Sequence, residues 1–167
     1  MSLASLSRVS VAAALALGLA LGACARNNAD EAAALNGAYG PTSGPGSIQE
    51  FAASVGDRVF FDTDSTELSA TAQATLDKQA SWLNQYGRYT FTIEGHADER
   101  GTREYNFALG ARRAEAAKDF LIAKGISAAR IKTISYGKER PVAVCDDISC
   151  WSQNRRAVTV LAGAAGS

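Results

Sequence analysis

A single long apolar run, Val11 to Ala23, sets the terms for everything that follows it. Its 13 residues are too few to cross a hydrocarbon core of about 30 Å, which takes about 20 helical residues. With Arg8 ahead of it, the run reads as the h-region of a secretory signal peptide covering residues 1–23. A buried core helix fits poorly, because nothing amphipathic or capped follows. The rest of the 167-residue chain has no comparable run, so a polytopic membrane protein is excluded and one exported domain with extensions is expected. Seventeen basic and 17 acidic side chains balance, which argues against a nucleic-acid binder. One histidine, His96, excludes any site built from several imidazoles.

The run ends Leu21-Gly22-Ala23-Cys24, which resembles the lipobox of bacterial lipoproteins. That resemblance implies cleavage before Cys24, acylation of its thiol and no cofactor beyond this covalent lipid. Several acyl chains, at about 0.8 kcal/mol per buried methylene, hold a protein on a membrane almost permanently. Ala25 stands where inner-membrane retention typically shows Asp, so the resemblance points to the periplasmic face of the outer membrane of a Gram-negative bacterium. Lipidation leaves Cys145 and Cys150 of the three cysteines, four residues between them. In an oxidising compartment a disulfide is expected, a local staple contributing about 2 kcal/mol on the chain-entropy model. A metal site is the rival, but two thiols and one distant histidine supply too few ligands.

Residues 24–48, rich in Ala, Asn, Gly, Ser and Pro, show no hydrophobic period and read as a flexible tether. The folded head is placed at 49–167. Arg58 to Phe61 is a strand stopped by Asp62-Thr-Asp-Ser65. Leu68, Ala72, Leu76, Ala80 and Leu83 repeat at helical spacing, with Ser69 as N-cap and Gly87 as the stop. Tyr89 to Glu94 alternates as a second strand closed by Gly95. A helix over 103–124 is expected to bury Phe107, Gly110, Ala114, Ala117 and Leu121 and to end at Gly125. Ile131–Tyr136 and Arg156–Leu161 complete the set. The pattern is βαβαββ, an α/β (α+β) two-layer sandwich with helices on one face of a small mixed sheet.

Asn106, Leu109 and Arg113 share one face of the second helix, and the loop carrying Asp98 runs into its start. Thr63 and Asp64, just past the first strand, converge on the same rim. A carboxylate beside a guanidinium suits a zwitterion, the amino-acid end of a ligand. The competing reading makes Asp98 a helix cap and Arg113 a solvated charge.

The segments Gly95-His-Ala-Asp-Glu-Arg-Gly-Thr-Arg-Glu-Tyr-Asn106 and Ala108-Leu-Gly-Ala-Arg-Arg-Ala114 resemble the OmpA C-terminal-like peptidoglycan-binding domain. So do Phe61-Asp-Thr-Asp-Ser65, Ser135-Tyr-Gly-Lys-Glu-Arg-Pro141 and Gln153-Asn-Arg-Arg-Ala157, all in order over residues 58–161. The resemblance implies non-covalent binding of peptidoglycan through the diaminopimelate of its stem peptide. Asp98 and Arg113 would grip its amino-acid end, with Thr63, Asp64, Ala97, Asn106 and Leu109 beside them. It also implies a place in the Tol envelope system with TolB as a protein partner, for which Glu99, Arg100 and Tyr105 are candidate contacts. Gly110 departs from the family, which often has Ser there, and the cysteine pair is not a general family feature.

An enzyme is the first alternative. Ser65 or Ser69 would need His96 as base, and no Gly-x-Ser-x-Gly elbow is present. Asp64 and Asp98 as a glycosidase pair would be kept ionised by Arg113, the wrong state for a general acid. A protein adaptor that touches no wall polymer is the second. Trp82 and Trp151 suggest sugar stacking, but Trp82 sits beside Leu83 at core spacing.

Overall fold

The computed structural model describes residues 43–162, so the signal peptide, Cys24 and most of the tether lie outside the described residues. The packed head starts earlier than Gln49. Ser47 is fully buried and caps α1 (Ile48–Glu50) by accepting from the Glu50 amide. The Gly46 carbonyl accepts from Tyr89 Oη at 2.7 Å and Arg88 Nη2 at 2.6 Å. α1 passes into a π-helical turn, Phe51–Gly56, whose Phe51 packs on Trp82 with ring centroids 4.9 Å apart. A lone Phe followed by Ala-Ala-Ser carries no period, which is why this element was not visible in the sequence.

Strand β1 (Arg58–Phe60) leads to α2 (Ala70–Gln85). Ser69 caps α2 as expected, its Oγ accepting from the Ala72 amide at 3.2 Å. The expected stripe is buried, except that Leu68 packs only partly against the core, and Trp82 and Gln79 join it. Gln79 is tolerated there because Nε2 donates to Gly56 O and Oε1 accepts from Thr159 Oγ1, leaving no buried polar group unpaired.

Strand β2 is Phe91–His96, two residues later than the alternation suggested. Gly95 continues the ladder instead of closing it. Helix α3 (Arg103–Ala123) is capped by Thr102, and Gly125 follows it in the left-handed region at φ +92°. Its buried face is rotated from the expected one. Phe107 is 56% exposed, while Asn106, Leu109 and Arg113 turn inward with Gly110, Ala114, Ala117 and Leu121. The helix meets β2 at a glycine–glycine crossing. A Cβ on Gly95 would collide with the Gly110 carbonyl, and one on Gly110 would sit 2.5 Å from Ser135 Oγ. The helix therefore lies directly on β2, and a serine at 110 has no room. That accounts for the departure from the family pattern.

Strand β3 (Ile131–Gly137) pairs parallel with β2. An unexpected short helix, α4 (Ile148–Asn154), precedes β4 (Arg156–Leu161), which runs antiparallel to both β1 and β2. The sheet order is β1-β4-β2-β3. The α/β sandwich with a mixed four-stranded sheet thus stands, with α4 added to the βαβαββ pattern. Phe91, Ile93, Ala157 and Leu161 face the helices as core, and Phe60, Ile134 and Val160 stay exposed on the other face. Cys145 and Cys150 are disulfide-bonded, with Cα atoms 5.7 Å apart.

Candidate ligand-binding pocket

Beyond the C-terminal end of β2, three segments meet: the turn after β1, the loop Ala97–Thr102 and the first three turns of α3. Between them lies a pocket of about 300 Å³. Thr63, Asp64, Asp98, Asn106, Leu109 and Arg113 all line it, as do Arg100, Gly101 and Tyr105. Ala97 does not. It is buried behind the pocket, where its amide donates to the Gly137 carbonyl at 2.8 Å and ties the loop to β3.

Arg113 organises the floor. It is fully buried, and its guanidinium donates to three main-chain carbonyls: Nε to Ser65 at 2.9 Å, Nη1 to His96 at 2.8 Å, Nη2 to Asp62 at 3.0 Å. The solvated-charge reading is therefore excluded. Five N–H groups less these three bonds leave two without a hydrogen-bond partner among the described residues. Burial and the charge of Arg155 push the Arg113 pKa down to about 10, partly offset by Asp98 and Asp64, so it stays protonated at neutral pH.

Asp98 is no helix cap, since Thr102 takes that place. Its Oδ1 accepts from the Arg100 amide at 3.2 Å and Nε at 3.1 Å. Its Oδ2 accepts from Arg100 Nη2 at 2.7 Å and Arg155 Nη1 at 3.3 Å. Burial would raise this carboxyl, but the hydrogen bonds and charge of Arg100, with Arg155 behind, outweigh it and hold Asp98 below the usual carboxylate range. Asp64 adopts a left-handed backbone at φ +55°, a conformation Asp tolerates better than most residues, and accepts from the Tyr105 hydroxyl. Asn106 Nδ2 donates to Arg100 O at 2.6 Å and shapes the loop. The rim thus offers carboxylates from two segments and a guanidinium floor, complementary to an ammonium and a carboxylate on one ligand.

His96 ends β2, where its carbonyl accepts from Arg113 Nη1. Its ring is buried with neither nitrogen hydrogen-bonded, 5.6 Å from the Tyr136 ring, with Nε2 3.7 Å from a Glu94 carboxylate oxygen. Burial, then the charges of Arg156 and Arg140, push its pKa down to about 4. Ser69 is spent as a cap and Ser65 Oγ accepts from the Glu67 amide, so neither serine pairs with this ring. A larger cavity of about 590 Å³ lies between α3 and β3 around Phe107 and Tyr136, and it contains none of the expected residues. Sequence reasoning gave no role to Arg155, although it lay inside a quoted motif. Only the fold shows that its guanidinium spans Asp98 and the Phe61 carbonyl.

This fold and pocket define a class. The OmpA family model matches residues 60–155, and the chain belongs to the OmpA family. Among its relatives, the peptidoglycan-associated lipoprotein of Mesorhizobium japonicum is 62% identical over 165 residues, 97% of each chain. That of Rhizobium meliloti is 62% identical over 162 residues, covering 96% of this chain and 92% of the relative. The crystal structure of the peptidoglycan-associated lipoprotein from Burkholderia pseudomallei superimposes with a TM-score of 0.64 at 41% identity, over 66% of this chain and 96% of that one. The C-terminal domain of Helicobacter pylori MotB shares the fold at TM-score 0.60 and 21% identity, over 65% and 86%. The lipoprotein relatives are named for association with peptidoglycan rather than for a reaction, in line with a chain that is not an enzyme.

Proposed function

We propose that this protein is an outer-membrane lipoprotein of the Tol–Pal system that binds peptidoglycan non-covalently and so links the outer membrane to the cell wall. In this reading the lipid on Cys24 holds one end, the pocket holds the diaminopimelate of a stem peptide at the other, and the link supports envelope integrity and cell division. Supporting it are the relatives' names and one observation above all: six residues expected from sequence converge on one pocket of about 300 Å³. The ammonium of the ligand meets Asp64, with the charge of Asp98, already hydrogen-bonded by Arg100 and Arg155, attracting it from behind, and its carboxylate meets the two remaining N–H groups of Arg113. Thr63 and Asn106 supply polar contacts, and Leu109 packs on the side-chain methylenes. Every group is charged or oriented before the ligand arrives, so little ordering cost is added on binding.

The test is sedimentation of the detergent-solubilised lipoprotein with purified sacculi. Asp98→Asn keeps the shape and removes the charge, and a loss of roughly 2–4 kcal/mol in binding is expected. Retained sedimentation would reject the site and favour a protein adaptor. TolB is proposed to meet the rim residues Glu99, Arg100 and Tyr105 and therefore to compete with the wall. Sacculi should then displace TolB from the wild type and fail to displace it from Asp98→Asn.

A further inference from the structure

The segment between β3 and β4 is tied down far more heavily than a connection requires. Helix α4 has seven residues, too few to persist alone. Asp147 caps it through the Ser149 amide, and Asn154 accepts from the amides of Val142 and Ala143 while donating to the Ala143 carbonyl. The Cys145–Cys150 bond closes the segment, with Cys150 buried next to Trp151.

What these ties hold in place is one helix face aimed at the pocket loop. Trp151 lies within α4 and Arg155 is the residue that ends it, and both side chains reach the pocket loop. Arg155 bonds Asp98. The Trp151 indole N–H donates to the Glu99 carboxylate, and its ring lies 4.1 Å from the Arg100 guanidinium. Three consecutive loop residues are thus each met from α4 or from the residue that ends it. Arg100 in turn fills three of the roughly four acceptor positions on Asp98. The Arg100 side chain is 41% exposed, so without the indole it has many rotamers open to it.

We propose that Trp151 is a positioning residue for the pocket: by stacking on Arg100 it fixes the orientation of Asp98, and the disulfide fixes Trp151. The cysteine pair is then a remote determinant of ligand affinity, although neither sulfur touches the pocket. This inference rests on the wall-binding reading above.

The test uses the full lipoprotein in detergent and purified sacculi. Trp151→Ala should weaken binding about fivefold, the scale of one exposed cation–π contact. Trp151→Phe retains the ring face and should recover most of that loss. The paired Cys145→Ser and Cys150→Ser change should weaken binding in the same direction by less. Arg100→Gln should mask Trp151→Ala, so the double variant binds no worse than Arg100→Gln alone. Wild-type affinity in Trp151→Ala, or additive losses in the double variant, would overturn the proposal, as would a Trp151→Phe protein as weak as Trp151→Ala. Asp98→Asn, run alongside, separates the two claims. If it binds poorly while Trp151→Ala binds normally, only the positioning role falls; if Asp98→Asn itself binds normally, the wall-binding site falls with it.

Discussion

The two ends of β2 are closed by opposite kinds of chemistry. At its start, Trp82 packs on Phe51, Tyr86 and Tyr89 with ring centroids 4.6 to 5.4 Å apart, and the N-terminal segment docks on this cluster. At its end, Arg113 holds three carbonyls from two separate segments, and Asp98 lies between Arg100 and Arg155. The aromatic end is held by area, which degrades gradually and specifies no partner. The charged end is held by hydrogen-bond satisfaction, which fails abruptly when one member is lost. The N–H groups of Arg113 left without a carbonyl are the ones the proposed function assigns to the ligand.

Four experiments would break or sharpen this contrast. Arg113→Ala leaves the carbonyls of Asp62, Ser65 and His96 without their donor, so a loss of about 4 kcal/mol in urea-denaturation stability is expected, together with wall binding. A loss below about 1 kcal/mol would mean that the charged end does not depend on this side chain. Trp82→Ala should cost about 3 kcal/mol in the same measurement while leaving affinity for sacculi unchanged wherever the variant is folded. Altered affinity would show that the two ends are coupled.

The third concerns pH. The folded pKa of His96 lies at about 4 against 6.5 for the free side chain, so the unfolded chain takes up the proton first. Stability therefore falls as pH drops from about 6.5 towards 4, by about 3 kcal/mol at the lower limit. Asp98, whose pKa is lowered, adds its own loss only in the carboxylate range and below. Comparing denaturation of the wild type and His96→Gln at pH 7 and pH 4 isolates the histidine part, and an unchanged pH slope in the variant would refute it. The smallest effect expected is for Ser69→Ala, about 1 kcal/mol from the lost α2 cap with no change in wall binding.

The apolar framework was legible because periodicity reports it directly. Ala72, Leu76, Ala80 and Leu83, the Ser69 cap and the Gly125 stop all fall where expected. Of the seven ligand contacts expected through motif resemblance, six line the pocket. The rest depends on pairing partners remote in sequence. Phe107 faces outward, while Asn106 and Arg113 turn inward, the arginine to main-chain carbonyls distant in sequence, which no local pattern encodes. Arg155 and Trp151 gained their roles only when α4 folded beside a loop some fifty residues earlier.

The docking of Gly46 beside Tyr89 has a mechanical consequence. Gly46 docks near the start of β2 and the pocket lies past its end, roughly 20 Å away at about 3.3 Å per residue. On the reading proposed above, a pull between membrane and wall would run roughly along the strand and load the hydrogen bonds joining β2 to β3 and β4 in shear instead of unzipping them one after another.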